Sequence, residues 1–118
     1  MTETKPKYLS KKTVVDGVTF DSAKEARRYA ELKVLERAGK IEALELQKPF
    51  VLCGSVVLNG RRKPALRYIA DFCYRVEEDG DFYRVVEDVK SPATRKLPAY
   101  RIKIHLLKAV HDIAVIEV

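Results

Sequence analysis

The stretch RYIADFCYRVEEDGDFYRVVEDVK, residues 67–90, carries two runs of strand-forming residues, 67–76 and 82–90, joined by an acidic connector centred on Asp79-Gly80. Asp-Gly accepts the positive φ angles of a tight two-residue turn, so the stretch reads as a β-hairpin. Stepping back from that turn along both strands sets Asp71 opposite Asp88, with Cβ atoms roughly 5 Å apart. Side chains alternate between faces, so Lys90 shares the face of Asp88, Ile69 lies opposite Lys90, and Glu87 and Val89 point the other way.

Two like charges facing each other among Ile69, Phe72 and Val86 repel unless a cation or a shared proton neutralises them. A divalent metal is the economical answer. Hard carboxylate oxygens select Mg²⁺ or Mn²⁺, and Mg²⁺ held by one or two carboxylates keeps positions for a phosphate oxygen and a nucleophilic water. That set suits phosphodiester hydrolysis, with the Lys90 ammonium orienting or deprotonating the water or offsetting charge in the transition state. The competing reading places Asp71 and Asp88 at a solvated sheet edge, Asp88 paired with a surface lysine.

Upstream, Asp16-Gly17 between Val14-Val15 and Val18-Thr19-Phe20 predicts a small hairpin. Ser22-Ala23-Lys24-Glu25 matches a capping box, and Ala26, Tyr29, Ala30, Leu32, Leu35 and Ala38 keep helical spacing until Gly39. Strand patterns follow at 41–46 and 50–58, with Pro49 expected to break or bulge the sheet edge, then an Asn59-Gly60 turn and a basic loop, Arg61-Arg62-Lys63. Beyond Lys90 come a polar loop at 91–97, an amphipathic helix at 98–111 with Ile102, Leu106 and Ala109 on one face, and a closing strand at 113–118. The order is helix, three or four strands, helix, strand.

The length of 118 residues, 47% of them hydrophobic, suits a single domain, expected over 13–118. Residues 1–12 form a basic arm with Lys5, Lys7, Lys11 and Lys12, which either touches phosphates or only solubilises the chain. The 23 Lys and Arg against 17 Asp and Glu leave a net charge of +6, favouring nucleic acid as partner ahead of an anionic membrane. No apolar run reaches the roughly 20 residues that span a bilayer, and MTETKPKYLSKK lacks the apolar stretch of a signal peptide, so no membrane partner and a cytoplasmic location are expected. Cys53 and Cys73 read as buried free thiols, and their spacing with His105 and His111 matches no zinc site.

Ile69-Ala70-Asp71, followed by Glu87-Asp88-Val89-Lys90 at the end of the next strand and preceded by a helix bearing Glu25, resembles the PD-(D/E)XK nuclease superfamily. The resemblance implies an α/β (α+β) fold with an αβββαβ restriction-endonuclease-like core, a mixed central sheet flanked by helices, over the chain beyond the basic arm. It implies a Mg²⁺-dependent endodeoxyribonuclease, Mn²⁺ able to substitute, with Asp71 and Asp88 as metal-binding acids, Lys90 as the motif lysine and Glu25 as the helix-one glutamate of junction-resolving members. The Val89 carbonyl becomes an additional metal ligand. Ala70 replaces the motif proline, and Asp88 stands where glutamate is commoner, shortening the reach to the metal by one methylene.

FDSAKEARRYAELKVLERAGKIEALELQKPF, YIADFCY, VVEDVK and YRIKIHLL are together similar to a small uncharacterised phage and prophage nuclease family, itself similar to Holliday junction resolvases. This implies resolution of branched DNA in phage recombination or processing by a homodimer, in the bacterial host cytoplasm. A sequence- or nick-directed duplex endonuclease, and a non-catalytic DNA-binding module of the same fold, are the alternatives. Glu25 is shared between the metal site and capping of its helix. Gln47 ends the second element, where relatives place a polar residue near the site, or it satisfies backbone groups alone. DNA phosphates fall to Arg27 and Arg28, to Arg61, Arg62 and Lys63, and to Thr94, Arg95 and Lys96. Tyr100 and Lys103, one turn apart, line the groove for the scissile strand, or Tyr100 is a core edge residue.

Overall fold

A computed structural model describes residues 12–118. Lys5, Lys7 and Lys11 of the expected basic arm lie outside them. β1 (Thr13–Val15) and β2 (Val18–Phe20) form the small hairpin, with Asp16 and Gly17 at φ 52° and 76° in its turn. α1 (Ala23–Arg37) follows, capped by Ser22, whose Oγ accepts from the Glu25 N–H at 3.1 Å. Ala26, Tyr29 and Leu32 recur at helical spacing and bury one stripe of this helix.

Then come β3 (Glu42–Cys53), β4 (Val56–Leu58), β5 (Arg61–Lys63), β6 (Leu66–Glu78), β7 (Asp81–Asp88), α2 (Pro92–Arg95), α3 (Pro98–His111) and β8 (Ile116–Glu117). One sheet has the order β3-β6-β7-β8; its first two pairings are antiparallel and the last is parallel, reached through α3. The fold is mixed α+β with a mixed central sheet. Phe20, Ala26, Tyr29 and Leu32 pack with Ile41, Phe72 and Tyr74 in the α1 layer, while Phe50, Leu52, Tyr68, Ala70 and Val86 pack with Tyr100 and Leu107 in the α3 layer. Each large apolar side chain buried there contributes roughly 1.5–3 kcal/mol.

Six expectations need correction. Pro49 neither breaks nor bulges the sheet: it pairs with Ile69 inside a continuous β3, an edge strand where a missing N–H is tolerated. The expected strand at 50–58 divides at Gly54-Ser55, and Arg61-Arg62-Lys63 is a strand, paired with β4 across the Asn59-Gly60 turn. The loop after Lys90 contains a helical turn, α2, begun by Ser91 and Pro92. Tyr100, Ile104 and Leu107 form the packed stripe of α3, joined by Leu106 of the expected face, whereas Ile102 is 59% exposed and Ala109 is exposed. Cys53 is exposed and only Cys73 is buried. Among the described residues, no helix is long and apolar enough to cross a membrane.

Leu44 and Leu46 of β3 pack in the α1 layer, but Phe50 and Leu52 pack in the α3 layer. Regular alternation would keep all four on one face. β6 changes sides likewise, between Tyr68-Ala70 and Phe72-Tyr74. The changes lie side by side: Leu46 pairs with Phe72 and Lys48 with Ala70, which leaves Gln47 opposite Asp71. Gln47 takes φ 51°, a left-handed kink that lets β3 switch faces without altering the register.

Candidate active site

The β6–β7 ladder runs from Glu78–Asp81, beside a turn with Asp79 and Gly80 at φ 53° and 85°, to Phe72–Glu87. One step further stand Asp71 and Asp88, the opposition that turn geometry predicts. Asp71 N donates to Asp88 Oδ1 at 3.2 Å, and Val89 N donates to Asp71 Oδ2 at 2.8 Å. Asp88 is fully buried. Tyr68 Oη donates to its Oδ2, and Lys90 Nζ lies 3.5 Å from the same oxygen. Burial, and then the Asp71 carboxyl beside it, holds the Asp88 pKa well above the usual carboxylate range. The Lys90 ammonium stands 5.4 Å from the centre of the Tyr100 ring. Tyr100 is itself buried and donates to Glu117 Oε2 at 3.0 Å, so it supports Lys90 from within the core edge instead of lining a groove.

Glu25 is buried, and its carboxylate belongs to the site. Only half of the capping box forms: Ser22 Oγ takes the Glu25 N–H, while Glu25 Oε1 accepts from Gln47 Nε2 at 3.3 Å. The same Gln47 nitrogen donates to Asp71 Oδ1 at 3.3 Å. Burial first, then the negative charges of Asp71 and Asp21, pushes the Glu25 pKa up to about 7.

Among the described residues, no three His, Cys, Asp or Glu side chains converge as a metal-holding group. The Gln47 amide stands between Glu25 and Asp71, donating to both. The Asp71–Asp88 pair alone fits the donor set of Mg²⁺, which is commonly bound through one or two carboxylates with waters completing the octahedron. It lacks the nitrogen and sulfur ligands of a structural zinc site.

The opposite face of β7 carries an arrangement that sequence reading missed. Glu87 is buried and accepts a two-pronged ion pair from Arg28, Nε to Oε1 at 2.7 Å and Nη2 to Oε2 at 2.6 Å, with a further bond from Tyr74 Oη. Arg28 also reaches Glu31 at 2.8 Å. It is thus committed to holding α1 against β7, one turn beyond Glu25, and is not free for phosphate. Tyr68 was missed for a definable reason. Three residues from Asp71, it belongs on the other face by strict alternation, and only the change of sides at Asp71 brings it to Asp88. No local signal marks that change.

The remaining candidate DNA contacts divide. Arg27, Arg61, Lys63 and Lys96 are exposed with no ion pair among the described residues. Arg62 bonds Ser55 Oγ at 3.2 Å, Arg95 lies 3.7 Å from Glu117, and the Thr94 hydroxyl bonds Ser91 Oγ at 3.0 Å within α2. Lys103 is half-buried on α3.

The family described as protein of unknown function (DUF1064) matches residues 5–113, and the chain belongs to that family. No curated protein and no solved structure matched the chain.

Proposed function

We propose that this member of the DUF1064 family is a Mg²⁺-dependent DNA endonuclease that acts on branched DNA as a homodimer in the bacterial cytoplasm. One observation carries the reading: Asp71 faces a desolvated Asp88 across β6 and β7, with the Lys90 ammonium 3.5 Å from Asp88. The resemblance of these three residues to the PD-(D/E)XK pattern supports it.

Asp71 and Asp88 would hold Mg²⁺, with the Val89 carbonyl as a neutral oxygen donor, and Glu25 would join once the Gln47 amide moved aside. When bound, the ion supplies positive charge to the phosphate and acidifies a water. Lys90 orients that water or receives its proton, or its ammonium offsets charge gathering on the phosphoryl oxygens. Tyr68 fixes the rotamer of Asp88 through its Oδ2, and Val89 N fixes that of Asp71. Burial of Asp88 excludes competing water and strengthens each of these interactions.

The test is incubation of purified protein with labelled four-way junction, flap, nicked and linear duplex DNA, in Mg²⁺ or EDTA. Mg²⁺-dependent cutting is expected to fall at least about 100-fold in Asp71→Asn, Asp88→Asn and Lys90→Ala, with DNA binding kept. Paired symmetric nicks across the junction fit a resolvase; sequence-restricted or nick-directed duplex cleavage fits the alternative endonuclease. Binding without cleavage on every substrate sinks the nuclease and leaves a non-catalytic module.

A further inference from the structure

β4 and β5 form an arm that packs into neither core cluster. Val56, Val57 and Leu58 are 51%, 64% and 55% exposed, and Arg61, Arg62 and Lys63 are exposed as well. An isolated two-stranded hairpin is marginal in water, and three bare aliphatic side chains make this one costlier still. The arm also sits in an unbroken cationic stretch: residues 46–70 contain five Lys and Arg and no Asp or Glu. Its pairing is Val56–Lys63, Val57–Arg62 and Leu58–Arg61, so every aliphatic has a cation directly across from it. Cross-strand partners share a face, and both faces of the ribbon therefore carry cations and aliphatics together.

That mixture suits one partner better than others. A membrane surface takes an element whose apolar and basic faces are separated, which this ribbon lacks. A second copy of the same arm would set cation against cation. A groove of duplex DNA has phosphates on both walls and sugar and base edges between them, and the major groove, about 12 Å wide, admits a two-stranded ribbon.

We propose that the β4–β5 arm is a DNA-docking ribbon, with Arg61, Arg62 and Lys63 on phosphates and Val56, Val57 and Leu58 against sugar and base edges. The proposal rests on the reading of the chain as a DNA enzyme and adds where it grips. Leu66, where β6 leaves the arm, is five residues from Asp71, about 17 Å at about 3.3 Å per residue. At 3.4 Å per base pair the ribbon, which lies beyond Leu66, meets DNA about five or more base pairs from the phosphate at Asp71.

The test compares wild type with three variants on a four-way junction and a duplex in EDTA, where binding is read without cleavage. Arg61→Gln/Arg62→Gln/Lys63→Gln is expected to lower the slope of log affinity against log salt by about 2–3. Val57→Ser/Leu58→Ser weakens binding about 10-fold and leaves the slope unchanged. Replacing residues 55–64 by Gly-Gly removes hydroxyl-radical protection roughly five or more base pairs from the cut site. All three keep the wild-type melting temperature, since the arm belongs to neither core. Unchanged slope, affinity and footprint overturn the proposal while leaving cleavage intact. So does a loss traced by light scattering to a broken dimer, or wild-type binding to phosphatidylglycerol vesicles that the variants lose while keeping DNA. Wild-type protein that binds DNA through the arm but cuts nothing leaves the ribbon standing and removes the nuclease.

Discussion

Glu25 keeps its proton to about pH 7 in the folded chain, against 4.5 for an ordinary glutamate, because it is buried beside Asp71 and Asp21. The folded state therefore binds that proton more tightly than the unfolded one between those values. Its contribution to stability is complete below about pH 4.5 and is lost as pH rises through about 7. Asp88, also raised by burial and by Asp71, acts in the same direction. In EDTA the melting temperature should be about 10 °C higher at about pH 5 than at about pH 8, and Glu25→Gln should flatten that difference in calorimetry. Tyr68→Phe is a second case. Its hydroxyl bond favours the ionised form of Asp88, so removing it lifts the Asp88 pKa further. The acid limb of the cleavage profile should move to higher pH, with a stability loss of about 1–2 kcal/mol in urea titration.

At the scale of elements, the Arg28–Glu87–Tyr74 set ties α1 to β7 and thereby sets the distance from Glu25 to the aspartate pair. Glu87→Gln takes the two-pronged carboxylate from a half-buried guanidinium that keeps only Glu31, and should destabilise the fold by about 1–3 kcal/mol, whereas Arg28→Met/Glu87→Leu should recover most of that loss. Urea titration with intrinsic tyrosine fluorescence reads both. Features governed by neighbours in sequence were legible without coordinates: the Asp79-Gly80 turn, and with it the opposition of Asp71 to Asp88; the Ser22 cap; the Gly39 stop. Features decided by packing across the sheet were not. α3 carries apolar residues at Tyr100, Ile104 and Leu107 and at Ile102, Leu106 and Ala109, and spacing alone could not tell that Leu106 joins the packed stripe while Ile102 and Ala109 stay exposed. Leu107→Ala should cost about 2–5 kcal/mol and Ile102→Ala less than about 0.5 kcal/mol. The change of sides at Gln47 and Asp71 was equally hidden, since it keeps the register that sequence arithmetic follows.

For the molecule as a whole, two helical layers meet one mixed sheet, and the aspartate pair lies where two neighbouring strands exchange layers. An ion that binds the folded chain alone would stabilise it by about 2.7 kcal/mol at 100 times its dissociation constant. Saturating Mg²⁺ should thus raise the melting temperature at about pH 8, and Asp71→Asn should abolish the rise; an equal rise in that variant would place the ion elsewhere. The exchange of layers also decides which parts of such a chain can grow or shrink. Asp71 and Asp88 are 17 positions apart, joined through a hairpin with a two-residue turn. One residue gained or lost in a single strand would set one of them beside the wrong neighbour, while a matched gain in both strands would keep them opposite. Gln47 and Asp71, 24 positions apart, are joined instead through the β4–β5 arm, outside both cores. Insertions and deletions among members of the family should therefore collect in the arm, come in pairs in the β6–β7 hairpin, and spare the kinked middle of β3.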